Sequence, residues 1–185
     1  LDTVLLLDVL EHLYNPWQVL ADLHKRLSPS CRIIASIPNA FNIQLLEELA
    51  AGRWRYEKWG LLDITHIRFF TEEGMRELFE QTGFGILKID SIPHPGSMLP
   101  PNIENAAHHV ETDHVIVKNV DEETRRDLFS IQKMILAEKN GSEMSSAPPH
   151  TRDRTRRSKA LSFVDTALRG RYLDLVRHCI LGLIY

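Results

Sequence analysis

Residues 3 to 7, Thr-Val-Leu-Leu-Leu, form an apolar run with no polar face, and the run stops abruptly at Asp8, Glu11 and His12. A short run of this kind reads as a strand covered on both sides, which belongs to an α/β sheet rather than to a sheet with one wet face. The following pattern agrees. Asn15 and Pro16 supply a helix cap and a first-turn proline, and Trp17, Leu20, Leu23, His24 and Leu27 recur at helical spacing until Ser28-Pro29-Ser30 stops them. RIIASIPN (32–39) reads as the next strand, ending at a Pro-Asn turn, and a second helix is predicted across 41–51, stopped by Gly52. Thr71, Glu72, Glu73 and Gly74 open a third helix with Met75, Leu78 and Phe79 as its buried stripe, and Gly83 closes it. Residues 85–92 and 113–120 alternate as strands, with the proline-rich piece 93–101 between them. This order is the second half of a doubly wound α/β sheet finishing in an antiparallel hairpin. Ligands of open α/β sheets sit beyond the carboxyl ends of the strands, so the polar cluster after Leu7 and the turn after residue 36 share the predicted site edge.

The chain of 185 residues, 43% of them hydrophobic, is long enough for one domain with a core and an appendage. Cys31 and Cys179 lie far apart with no metal-finger spacing, which argues against a disulfide framework or structural zinc and makes a reducing cytoplasm the default. There is no stretch of about 18 apolar residues and no secretory leader pattern. A net charge of -3 gives no nucleic-acid footprint. The charge is uneven: from His150 onward eight Arg or Lys stand against three Asp. The expected organisation is therefore a domain over 1–138, a polar basic linker over 139–159, and a basic amphipathic helix over 160–185. Leu161, Val164, Leu168, Tyr172, Leu175, Cys179 and Leu183 form the apolar stripe of that C-terminal helix. Such a helix suits an anionic membrane surface, a partner, or packing back on the domain.

Three segments, DVLEH (8–12), SIPN (36–39) and THIRFFT (65–71), occur in that order. With them the chain resembles the carboxyl-terminal half of a class I S-adenosylmethionine-dependent methyltransferase, over residues 1–92 and more loosely to 120. The nearest group holds the ubiquinone-biosynthesis O-methyltransferases and small-molecule or sugar methyltransferases. The resemblance implies a Rossmann-like sheet in which residues 3–7 are the fourth strand, S-adenosylmethionine as cofactor, Leu7 and Asp8 in contact with it, and a small-molecule or sugar acceptor. The glycine-rich cofactor loop has no counterpart here and the chain has no initiating Met, so it reads as a fragment, inactive alone. Ser30 and Cys31 stand where relatives usually carry a glycine pair. A non-catalytic interaction module is the alternative, and an uncovered edge at strand 3–7 predicts self-association.

In some relatives an acidic-x-x-Glu-His run and a later histidine bind a divalent metal. By that resemblance the metal set here is Asp8, Glu11, His12 and His66. Mixed carboxylate and imidazole ligands suit a hard or borderline cation that acidifies a bound hydroxyl. His12 and His66 could equally act as general bases or substrate contacts, and the same residues could be structural. Trp54, Tyr56 and Trp59 read as an aromatic wall over a substrate or as ordinary packing. Arg68 reads as an anion anchor or as a surface partner of Glu72 or Glu73. His94, His108, His109 and His114 lack the spacing of a metal site.

Overall fold

The computed structural model describes residues 3–93, 102 and 104–140, which lie in one compact unit. The expected linker beyond residue 140 and the helix 160–185 lie outside the described residues, as do His94 and Cys179. The fold is α/β. Strand β1 (Thr3–Leu7) leads through a single 3-10 turn (Leu10–His12) to helix α1 (Pro16–Arg26), strand β2 (Arg32–Pro38), helix α2 (Ile43–Ala50) and helix α3 (Glu72–Gln81). Strand β3 (Phe84–Pro93) follows, then three short strands, β4 (Glu104–Asn105), β5 (His109–Glu111) and β6 (Ile116–Lys118), helix α4 (Glu122–Leu128) and strand β7 (Ser130–Lys139).

Local chemistry sets the helix ends. The Asn15 side chain accepts from Gln18 N at 3.1 Å, with Pro16 in the first turn where its missing N–H costs nothing. Thr71 caps α3 by accepting from Gly74 N, and Glu72 and Glu73 place negative charge at its N-terminus. Gly52 and Gly83 leave α2 and α3 at φ +73° and +87°, a conformation that disfavours residues with a Cβ.

The main sheet runs β1-β2-β7-β3, with β1 parallel to β2 and β7 antiparallel to both its neighbours. One face is packed by α1 and α3: Leu10, Trp17, Leu20, Ile33, Ile37, Met75, Phe79 and Ile135 belong to a single buried cluster. The Trp17 indole N–H donates to Gln81 Oε1 at 3.1 Å and joins the two helices. A second cluster of Ile43, Val110, Val117, Val120 and Leu128 joins α2 to the three-stranded sheet β4-β5-β6. Glu47 of α2 anchors that sheet, accepting from Thr112 Oγ1 at 2.5 Å and from His114 N at 3.1 Å.

Three expectations need correction. The antiparallel partner of β3 is β7, not 113–120; only Ile116–Lys118 of that piece is a strand, and it pairs with β5 in the other sheet. The hydrophobic pattern does not mark β7 because Lys133 interrupts its apolar residues. Third, β1 is not covered on both faces, since Leu5 and Leu7 are 60% and 48% exposed on the face opposite α1 and α3. No helix among the described residues is long and apolar enough to cross a membrane.

Lys133 is only 1% exposed, yet it is fully engaged. Its Nζ lies 2.9 Å from Glu72 Oε2, 2.9 Å from Asp127 Oδ1 and 2.8 Å from Ser91 Oγ, tying α3, α4 and β3 to β7. Removing one member of a buried ion network strands the others without compensation. Lys133→Met is therefore expected to cost about 3 kcal/mol in urea denaturation, and a loss below about 0.5 kcal/mol, the range of ordinary surface substitutions, would contradict this role.

Candidate functional site

The carboxyl end of β1, the 3-10 turn after it and the loop between α2 and α3 enclose a cleft of about 500 Å³, with Asp8, Glu11, His12, Arg55, Asp63 and His66 in its wall. Asp8 leaves β1 with φ +54°. This turn lets its N–H reach Ser36 Oγ at 3.0 Å while its Oδ1 accepts from the Ser36 hydroxyl at 2.9 Å and from Gln132 Nε2. Leu7, just before it, is half exposed at the strand end.

Glu11 follows on the 3-10 turn and is fully buried. Its backbone carbonyl accepts from the N–H groups of both Ile67 and Arg68 at 3.0 Å, which draws the loop before α3 against the end of β1. That loop delivers His66, buried at 8% exposure, beside His12, with the two rings edge to face at 4.8 Å. One ligand atom each from Glu11, His12 and His66 lie within 4.8 Å of one another. Three of the four residues drawn from the resemblance thus converge. Asp8 lines the same cleft, but its carboxylate is turned to Ser36 and Gln132.

The hydrogen-bond partners fix the donor nitrogen of each ring. His12 Nδ1 is 3.0 Å from the Thr65 carbonyl and His66 Nδ1 is 3.1 Å from the Leu61 carbonyl. A carbonyl only accepts, so each Nδ1 carries a proton, and in the neutral ring the lone pair is then on Nε2. Both Glu11 side-chain oxygens are buried, and neither has a hydrogen-bond partner among the described residues. Burial pushes the Glu11 carboxyl up to about 7; the nearby backbone amide of Glu11 itself works against the rise, the Asp8 charge adds to it and His12 opposes it. A carboxylate in this position needs a proton or a cation.

Other predicted site residues fall elsewhere. The cleft wall carries Arg55 and Glu57 from the aromatic segment, whereas Trp54 packs edge to face on Phe69 at 5.2 Å and Trp59 is 75% exposed. Arg68 Nη2 donates to the Tyr14 carbonyl at 2.5 Å and its guanidinium lies 5.6 Å from the Tyr14 ring centre, while Glu72 pairs with Arg76 and Lys133. His114 bonds Glu47. His109 gathers with Glu104 and Glu111 on the three-stranded sheet, a cross-strand grouping that linear spacing hides. Gln132, Ile131 and Asp63 are cleft residues that sequence reasoning missed. The turn chemistry of Asp-x-Thr was a signal for the last; the first two come from the unmarked strand β7.

The Glu11 shift has a definite sign. A carboxyl whose pKa is raised by folding stabilises the folded state below its unfolded value of roughly 4.3, and that contribution is lost as pH rises through the folded value. Without added divalent cation, the protein should lose about 3 kcal/mol between pH 4.5 and pH 8 through this group. Glu11→Gln should remove most of that slope, as read from urea midpoints across the range. An unchanged slope in the variant would show that the carboxyl is not held in this way.

Residues 1–89 match a family model described as a methyltransferase domain. No curated protein matches. Among solved structures, a SAM-dependent methyltransferase from Thermotoga maritima is similar at 15% identity and a TM-score of 0.46, the alignment covering 75% of this chain and 56% of that one. A SAM-dependent methyltransferase from Archaeoglobus fulgidus is similar at 21% identity and a TM-score of 0.45, covering 75% and 59%. A chain of the Haloferax volcanii complex that contains the Trm112 methyltransferase activator aligns at 16% identity and a TM-score of 0.44, covering 78% and 56%. The chain spans just over half the length of these structures. Glu11, His12 and His66 all lie inside the stretch, residues 1–89, that the methyltransferase-domain model matches.

Proposed function

We propose that the protein takes part in transfer of a methyl group from S-adenosylmethionine to an oxygen of a small-molecule or sugar acceptor, with the acceptor held over Glu11, His12 and His66. The observation that carries this reading is the buried Glu11 carboxylate, with no hydrogen-bond partner on either oxygen among the described residues, grouped with two imidazoles whose Nδ1 atoms are both turned to backbone carbonyls. The family match over residues 1–89 supplies the reaction class.

The donor set fits a divalent cation. Two imidazoles oriented by backbone carbonyls and one desolvated carboxylate form a mixed nitrogen and oxygen set, and each histidine already has the outer hydrogen bond that metal ligands need. A cation held there would supply Lewis acidity that lowers the pKa of an acceptor hydroxyl. The chain's own residues do the rest. Glu11 offers charge from a water-poor position, where it acts more strongly than it would in bulk solvent. By the family resemblance, Leu7 and Asp8 at the end of β1 would contact S-adenosylmethionine, and the Ser36 and Gln132 bonds hold the Asp8 side chain still. With two substrates fixed on one sheet edge, catalysis is chiefly positioning.

Methyl transfer by the full-length protein, followed with isotope-labelled S-adenosylmethionine and polyhydroxylated acceptors, tests this. Activity should vanish with a chelator, return with Mn2+ or Mg2+, and fall by more than about 100-fold in Glu11→Gln and His66→Ala, beyond the loss that an outer partner alone causes. Activity indifferent to chelator but lost in His12→Ala would overturn the cation and make a histidine Nε2 the base. No methyl transfer under any condition would overturn the reading as a whole.

A further inference from the structure

We infer that Asp63 and Thr65 are positioning residues that fix the ring orientation of both site histidines, a reading that rests on the proposed role of His12 and His66. Each Nδ1 bond ends on a carbonyl of one short loop, Leu61 for His66 and Thr65 for His12. What holds that loop is a set of hydrogen bonds centred on Asp63. Its Oδ1 accepts from Thr65 N at 2.8 Å and from Thr65 Oγ1 at 2.5 Å. Its own carbonyl accepts from His66 N at 2.9 Å, and its N–H donates to Gly60 O at 3.2 Å. Two further bonds, Glu57 N to Leu62 O at 2.8 Å and Ile64 N to Glu57 O at 2.9 Å, close the loop at its base.

Apolar packing at Ile64 and Ile67 does not do this work. Ile64 is 68% exposed and Ile67 50% exposed, so the apolar side chains nearest Thr65 do little to fix the direction of its carbonyl. Side-chain acceptance from the backbone N–H two residues on is an Asx turn, which substitutes for a missing backbone bond and sets the direction of the next peptide. Here that direction decides whether His12 finds an acceptor at Nδ1. Without it the imidazole reverts to the mixed tautomers of a free ring, and its lone pair is no longer always on Nε2. Asp63 thus acts on His12 through Thr65 and on His66 through its own carbonyl and the adjoining Leu61 turn.

Long-range proton-nitrogen NMR of the His12 and His66 rings in the metal-free protein reads the tautomers directly. The wild type should show single species protonated at Nδ1. Asp63→Ala should convert His12 to a tautomer mixture and weaken Mn2+ binding by roughly 10- to 100-fold in calorimetry, the usual cost of losing an outer partner. Asp63→Asn, whose Oδ1 can still accept from Thr65 N, should keep the wild-type tautomers, and Thr65→Val should retain them more fully than Asp63→Ala. Unchanged tautomers in a folded Asp63→Ala protein would overturn the inference, as would equal loss in Asp63→Ala and Asp63→Asn. Because the NMR readout needs no cation, a tautomer shift in a protein that binds no Mn2+ would support the positioning role while refuting the cation.

Discussion

The buried ammonium of Lys133 is the point from which the rest of the architecture is braced. It stands in the middle of the sheet on β7, and satisfying it requires Glu72 at the start of α3, Asp127 near the end of α4 and Ser91 on β3 to meet in one place. Burial pushes the Asp127 carboxyl up while the Lys133 charge opposes the rise, so the arrangement holds only as a set. Asn39 extends it: its side-chain N lies 2.7 to 3.2 Å from acceptors on Asp127 and Ser130, while its backbone N–H donates to Ile131. The end of β2 and the α4–β7 corner are thereby locked together, and the start of α3 is pinned where the long loop from α2 must finish.

That anchoring makes the site possible. The loop arrives at a fixed Glu72, Ala40 N bonds the Phe70 carbonyl at 2.9 Å, and the Glu11 carbonyl takes two successive N–H groups from Ile67 and Arg68. His66 has one place to go. The desolvation of Glu11 is the counterpart of this closeness: the same contacts that bring His66 in also exclude water from the carboxylate. The local cost is met by a proton at low pH and, in the proposed reaction, by a cation. Polar groups left unsatisfied in an otherwise saturated interior commonly mark function rather than fold.

Much of this was legible in the sequence, and the reasons differ by element. α1 and α3 carry their caps, first-turn residues and apolar spacing within a dozen residues each, so Asn15, Pro16 and Thr71 announce them. β1 and β2 read correctly as strands from their apolar runs, although the open face of β1 did not, because the pattern records what a strand could bury and not what covers it. β7 stayed hidden because its place between β2 and β3 is set by pairing across about a hundred positions, with Ile135 opposite Ala35, and because Lys133 spoils its pattern. The site divides in the same way. Glu11 and His12 adjoin in sequence and His66 stood out through its motif, but the diversion of the Asp8 carboxylate required Gln132 from the hidden strand. The Asp63–Thr65 turn was legible from Asp-x-Thr, but its reach to the histidines was not, since that runs through the Leu61 and Thr65 backbone carbonyls, which every residue possesses.

X-ray absorption at the zinc edge of the Zn2+-loaded protein tests the central claim most directly, because it counts imidazoles around the ion. Two imidazole nitrogens are expected at about 2.0–2.1 Å with oxygen ligands near 2.0–2.2 Å, with loss of one imidazole in His66→Ala. A spectrum with no imidazole, or with a single one that persists in His66→Ala and disappears in His109→Ala, would place the cation on the three-stranded sheet or nowhere specific, and would contradict the account.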